Sequence, residues 1–175
     1  SSNPCFLGDT LIDTSEGFIR IDELSEMFEN QEELPRTLSF DEETGLPVLG
    51  NIKRAWKTRE VDTLVEVETD KGIIIRCTPD HLFLTRKVHG MPGDWIPAKD
   101  LKPNTRLRKI GRWINDKREN RRYINTRETK DCPSGTKAYS LFLWELAHGK
   151  ISSGMHLHHK NGDATDDRLS NLELR

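Results

Sequence analysis

The sequence predicts a mostly β region over residues 5–110 and a small α+β unit over residues 137–175, with residues 111–136 as a basic linker between them. Three observations predict it. Short apolar or alternating runs recur through the first hundred residues, each closed by a turn signal. One stretch near the C-terminal end has helical spacing and a glycine stop. The two parts also carry charge of opposite sign.

Taken in order, Leu11-Ile12, Phe18-Ile19-Arg20-Ile21 and Leu64-Val65-Glu66-Val67-Glu68 read as strands. Ser15-Glu16-Gly17, the Asp41–Gly45 run and Asp70-Lys71-Gly72 read as the turns between strands. One short helix fits Asp22–Glu29, with Asp22 as its N-cap and Leu24, Met27 and Phe28 on one face. Many short strands at close spacing indicate a compact, non-parallel β domain. Lys137–His148 has helical spacing, with Leu141, Trp144 and Leu146 among its apolar positions, and Gly149 stops it. From His156 the chain reads as a strand, a polar Asn161-Gly162-Asp163 turn, and a short return through Leu169, Leu172 and Leu174.

Composition narrows the class. Of 175 residues, 34 % are hydrophobic and 32 % charged, which is polar but too rich in apolar runs for a disordered chain. No apolar stretch approaches the roughly 20 residues of a membrane helix, so no membrane partner is expected. Ser1-Ser2-Asn3-Pro4 does not have the character of a signal peptide. Three cysteines, Cys5, Cys77 and Cys132, with no CxxC spacing, argue against a disulfide framework and a four-ligand zinc site, and a cytoplasmic setting is expected. The net charge of −2 hides an asymmetry: residues 1–104 hold 12 Lys and Arg against 20 Asp and Glu, whereas residues 105–175 hold 15 against 9. The basic excess gathers at Arg106, Arg108, Lys109, Arg112, Lys117, Arg118, Arg121 and Arg122, which are the candidates for meeting a phosphate backbone. A solvated charged linker is the plain alternative for such a run.

Cys5-Phe6-Leu7-Gly8-Asp9-Thr10-Leu11-Ile12 resembles the start of the Hint family, shared by inteins and Hedgehog autoprocessing domains. Cys77-Thr78-Pro79-Asp80-His81-Leu82-Phe83-Leu84-Thr85 resembles that family's second motif, a strand followed by Thr-x-x-His. Gly17–Leu24 fits the strand and helix between them, and Trp95–Pro103 fits the next strand pair. The resemblance implies a horseshoe-type β fold over 5–110 and a self-processing reaction, preceded by flanking residues 1–4. In that reaction the Cys5 thiol attacks the preceding carbonyl and converts a peptide bond to a thioester. A thiolate is the nucleophile, and a free cysteine has a pKa of about 8.5, so deprotonation must be local. His81 is the candidate for moving the proton to the leaving amide nitrogen, and Thr78 for hydrogen-bonding the scissile peptide. Pro4 departs from an efficient self-cleaver, because its ring crowds the carbonyl under attack. Cys77, on an apolar strand, reads as core packing.

Ala138–Glu145, Gly149, Gly154–Asp163 and Asp166–Leu174 are similar to HNH endonucleases of the homing type, with His158-His159-Lys160-Asn161-Gly162-Asp163 as the most specific run. The resemblance implies a ββα finger holding one divalent metal, expected to be Mg²⁺, and double-stranded DNA as substrate. It makes His159 the general base, His158 a metal ligand and Asn171 the residue that braces the finger. His156 shares a strand face with His158 by two-residue alternation and reads as structural or phosphate-facing. The role of Asp167 stays open.

The order of these parts matches an intein interrupted by an endonuclease. On that reading the chain is expected to stop short of the finger's closing helix and of the splicing module's closing strands. Alone, it is expected to nick DNA weakly or not at all, and to bind a complementary C-terminal intein segment by strand addition. Two alternatives are a Hint–HNH toxin released by autoproteolysis and a catalytically silent fragment that only binds its partner.

Overall fold

In the computed structural model, residues 4–58, 60–87, 92–117, 120–125 and 136–175 are described. Ser1, Ser2, Asn3, Arg118 and Cys132, each named above, lie outside them. The chain runs β1 (Leu11–Thr14), β2 (Gly17–Arg20), α1 (Ile21–Glu29), β3 (Arg36–Phe40), β4 (Pro47–Asn51), β5 (Val65–Glu68), β6 (Ile74–Cys77), β7 (Leu82–Arg86) and β8 (Pro92–Pro97). It continues through β9 (Arg112–Asn115), β10 (Arg121–Asn125), β11 (Thr136–Ala138), α2 (Tyr139–His148), β12 (Leu157–His159) and β13 (Leu172–Leu174). The protein is mostly β, in several small sheets, with a helix ahead of the C-terminal hairpin. No helix among the described residues is long and apolar enough to cross a membrane.

Two compact units divide the chain, and β1 and β2 each have residues in both. The first unit takes residues 1–12, 19–34 and 53–109. Its hairpins are β5–β6, turning at Gly72 with φ +72°, and β7–β8. Alternation in Val65-Glu66-Val67-Glu68 follows the pleat: the valines are half-buried and the glutamates exposed. Helix α1 begins one residue earlier than its sequence suggests. Asp22 is therefore not the N-cap but sits in the first turn, where it pairs with Arg20 and accepts from the Glu23 amide at 3.0 Å. Leu24 is the residue that α1 buries. The expected strand pair over 95–103 is instead the end of β8 followed by a 3₁₀ turn at Ala98–Asp100, which seats Ala98 in the interior.

The second unit gathers residues 13–18, 35–52 and 110–175. In the four-stranded sheet, of order β2-β1-β3-β4, Gly45 makes the β3–β4 turn with φ +66°. A second sheet has the order β11-β10-β9. Its strands β9 and β10 lie inside the stretch expected to be a linker. The reason is Ile124, which is wholly buried and packs with Tyr139, Phe142 and Leu143 of α2 into the core of this unit. Leu38, Leu49, Ile110, Leu146 and Leu169 close around that cluster. Helix α2 starts at Tyr139 rather than Lys137, because Thr136–Ala138 pair with β10, and it stops at Gly149 with φ +87°, as the sequence indicates. The third sheet is the β12–β13 hairpin, which pairs His159 with Leu172 and His158 with Glu173.

Candidate active sites

The C-terminal hairpin places its histidines by strand alternation. His156 and His158 are exposed, whereas the side chain of His159 is only 12 % exposed. His159 Nε2 lies 3.1 Å from Asp167 Oδ1, and the Asp167 side chain is 4 % exposed. The other oxygen of that carboxylate accepts from Arg122 Nε at 3.0 Å, and the Arg122 guanidinium also donates to the Thr165 carbonyl at 2.9 Å. Nδ1 of His159 has no hydrogen-bond partner among the described residues.

Asn171, in the 3₁₀ turn ahead of β13, is buried and braces the loop that follows His159. Its amide donates to Asn161 Oδ1 at 3.0 Å and to the Asp166 carbonyl at 2.8 Å, and its Oδ1 accepts from the Asn161 amide at 3.1 Å. Within the same loop Arg168 holds the Asp166 carboxyl down to about 2, and hydrogen bonds from Thr165 hold Asp163 below the usual carboxylate range. An open groove of about 830 Å³ runs past this hairpin, lined by Arg121, Ser140, Glu145, His156, His158 and His159 among others.

The basic residues divide by environment. Arg112 pairs with Asp13 at 2.5 Å and donates to the Tyr139 hydroxyl at 3.1 Å. Its guanidinium and that of Arg122 both lie over the Tyr139 ring, at 5.0 and 5.3 Å. Burial, helped by Asp13 and opposed by the two arginines, pushes the Tyr139 phenol up to about 12. Arg106, Lys109, Lys117 and Arg121 are exposed, and Arg108 is half-buried.

Residues 138–175 match the HNH endonuclease family. The match covers α2, β12 and β13 and contains His158, His159, Asp167 and Asn171. A search of curated proteins returned no match to the chain. HNH endonucleases commonly use a divalent metal, and no group of three or more His, Cys, Asp or Glu among the described residues is placed to hold one. His158 offers one exposed imidazole, a donor suited to zinc, copper or nickel, whereas Mg²⁺ takes oxygen.

A second constellation lies in the first unit. Phe6 bridges to Cys77, the last residue of β6, and this sets Cys5 against Thr78. The Cys5 amide donates to Thr78 Oγ1 at 3.0 Å, and the Thr78 amide donates back to the Cys5 carbonyl at 2.9 Å. Thr-x-x-His is a turn, closed by the His81 amide on the Thr78 carbonyl at 3.0 Å, and it returns the imidazole to Phe6 with ring centroids 3.8 Å apart. Burial pulls His81 below the usual histidine value against the opposing charge of Asp80, and His81 Nδ1 is buried with no hydrogen-bond partner among the described residues. Cys77 is wholly buried, and its thiol is pushed up by burial.

Asp167 lies within the HNH-like run, where the sequence leaves its role open. One residue of these sites has no signal in the sequence. Thr58, whose hydroxyl lies 3.4 Å from Cys5 Sγ, comes from a segment with no motif.

Proposed function

We propose that the second unit is a DNA endonuclease in which His159 is the general base. The observation that carries this is the pairing of His159 Nε2 with Asp167 beside the groove, which leaves Nδ1 as the ring's open nitrogen. His159 takes a proton from water as the water oxygen bonds to phosphorus; the P–O bond to the sugar breaks, and the sugar oxygen leaves with the bonding pair and takes a proton from solvent. Arg121, exposed and on the groove wall, meets a phosphate of the incoming strand. Asn171 holds the loop behind His159 in shape. HNH endonucleases commonly use a divalent metal. The test is conversion of supercoiled plasmid to open circle with Mg²⁺ or Mn²⁺ supplied. His159→Ala is expected to slow nicking by at least about 100-fold, the ordinary weight of a positioned base. Equal nicking by wild type and His159→Ala refutes the reading.

A second activity is favoured by the bond between the Cys5 amide and Thr78 Oγ1, because that nitrogen is the leaving group of the Pro4–Cys5 peptide. We read the first unit as an intein-type self-processing region. Thr78 holds the scissile amide, Cys5 Sγ bonds to the Pro4 carbonyl carbon, and His81 delivers the proton as the C–N bond breaks. The pair of activities is that of an intein carrying an endonuclease, with a complementary C-terminal segment as its partner. Hydroxylamine release of residues 1–4, with and without such a segment, tests it; release that persists in Cys5→Ala removes the mechanism.

A further inference from the structure

We infer that Asp167 and Arg122 are positioning residues for His159, a carboxylate–guanidinium clamp that fixes the imidazole in its Nε2–H tautomer and keeps Nδ1 free to accept a proton. The inference rests on the endonuclease reading above and adds two residues to which that reading gives no role in the reaction.

The three side chains come from three separate parts of the second unit. His159 ends β12, Asp167 lies in the loop before β13, and Arg122 is on β10. Their hydrogen bonds run in one direction. Guanidinium is a donor only and fills Asp167 Oδ2. The carboxylate is an acceptor, so the bond at Oδ1 requires the proton on Nε2 of His159. Arg122 is held at a second point by the Thr165 carbonyl and lies over the Tyr139 ring, which restrains the guanidinium that faces the carboxylate. The Arg122 and Asp167 side chains are 28 % and 4 % exposed, which leaves little room for water to substitute for either partner. A surface ion pair would not have this effect, because long exposed side chains exchange partners with solvent.

The clamp makes an unusual prediction for an almost isosteric change. In Asp167→Asn, the guanidinium still demands an acceptor, so the amide oxygen turns to Arg122 and the amide NH₂ faces His159. Nε2 must then accept, the ring proton moves to Nδ1, and the base is capped by its own hydrogen. Removing the guanidinium as well, in Asp167→Asn/Arg122→Met, frees the amide to rotate and present its oxygen to Nε2–H.

The full chain, labelled with ¹⁵N, is examined by two-bond ¹⁵N–¹H correlation of the imidazole rings, with His159 assigned from His159→Gln. Nicking of supercoiled plasmid is measured in parallel. Wild type is expected to show the Nε2–H tautomer. Asp167→Asn is expected to show Nδ1–H, with kcat down at least about tenfold and KM within about twofold. The double variant is expected to return towards Nε2–H and regain part of kcat. A wild-type Nδ1–H tautomer overturns the clamp whether or not any variant folds. An Asp167→Asn chain that keeps Nε2–H, or a double variant no different from it, also overturns it. Wild type with the Nε2–H tautomer, together with nicking that His159→Gln leaves unchanged, supports the clamp and refutes the endonuclease reading, so the two failures are distinguishable.

Discussion

Asn171→Ala tests whether the loop after His159 is held from within. The wild-type side chain makes three hydrogen bonds, two as donor and one as acceptor, and Asn171 itself is 8 % exposed. A net value of about 0.5–1.5 kcal/mol per bond would give roughly 2–4 kcal/mol. Asn161 is exposed and is rehydrated when its partner goes, so the lower figure applies, about 2 kcal/mol. For a chain of this length that corresponds to a fall in Tm of roughly 4–8 °C, measured by circular dichroism. Asn171→Asp is the sharper variant. It keeps the acceptor for the Asn161 amide but sets a carboxylate oxygen against Asn161 Oδ1 and the Asp166 carbonyl. The Asn161 amide can turn over only by giving up its bonds to Asp166 and Asp163; the carbonyl cannot turn at all. Asn171→Asp should therefore be at least as destabilised as Asn171→Ala, and amides 161–166 should lose hydrogen-exchange protection in both. A Tm within 1 °C of wild type for both variants would refute the argument that these bonds hold the loop.

Three further outcomes are expected. Tyr139 is raised in the folded chain, so its contribution is complete below the ordinary phenol value and is lost as pH rises from about 10 to about 12. The loss is worth roughly 2–3 kcal/mol, and alkaline titration of stability should show it in wild type and not in Tyr139→Phe. Thr78→Val keeps the volume and removes the acceptor for the Cys5 amide; hydroxylamine release of the leader should fall at least about tenfold, and an unchanged rate would show that the bond has no part in the acyl shift. Arg121→Ala should weaken binding of duplex DNA and reduce the salt slope of log K by about one, whereas Arg112→Ala, with its guanidinium tied to Asp13 and Tyr139, should lower Tm and leave the slope unchanged.

Much of the fold is legible because local chemistry dictates it. Gly17, Gly45, Gly72, Gly149 and Gly162 all take positive φ where turn or stop signals stand in the sequence. The glutamates and valines of β5 alternate as the pleat requires. What escapes a linear reading is the grouping of elements. Residues 35–52 sit beside the first motif in sequence, yet Leu38 and Leu49 pack on a core made by β10 and α2. No periodicity within 35–52 carries that information, because the choice of partner is made by apolar surface elsewhere in the chain.

The basic run shows the same limit at single-residue resolution. As composition, Arg121-Arg122 is two adjacent positive charges with equal claim to a phosphate. On β10 they separate, since neighbouring residues of a strand point to opposite faces. Arg121 is exposed on the groove wall, and Arg122 turns inward to Asp167, Thr165 and Tyr139. The same alternation on β12 separates exposed His158 from half-buried His159. An inward-turned histidine is stabilised by a hydrogen-bond partner and an inward-turned arginine by an anion, and one aspartate between them satisfies both. Only pairing β10 with its neighbours and closing the β12–β13 hairpin identifies Asp167 as that residue.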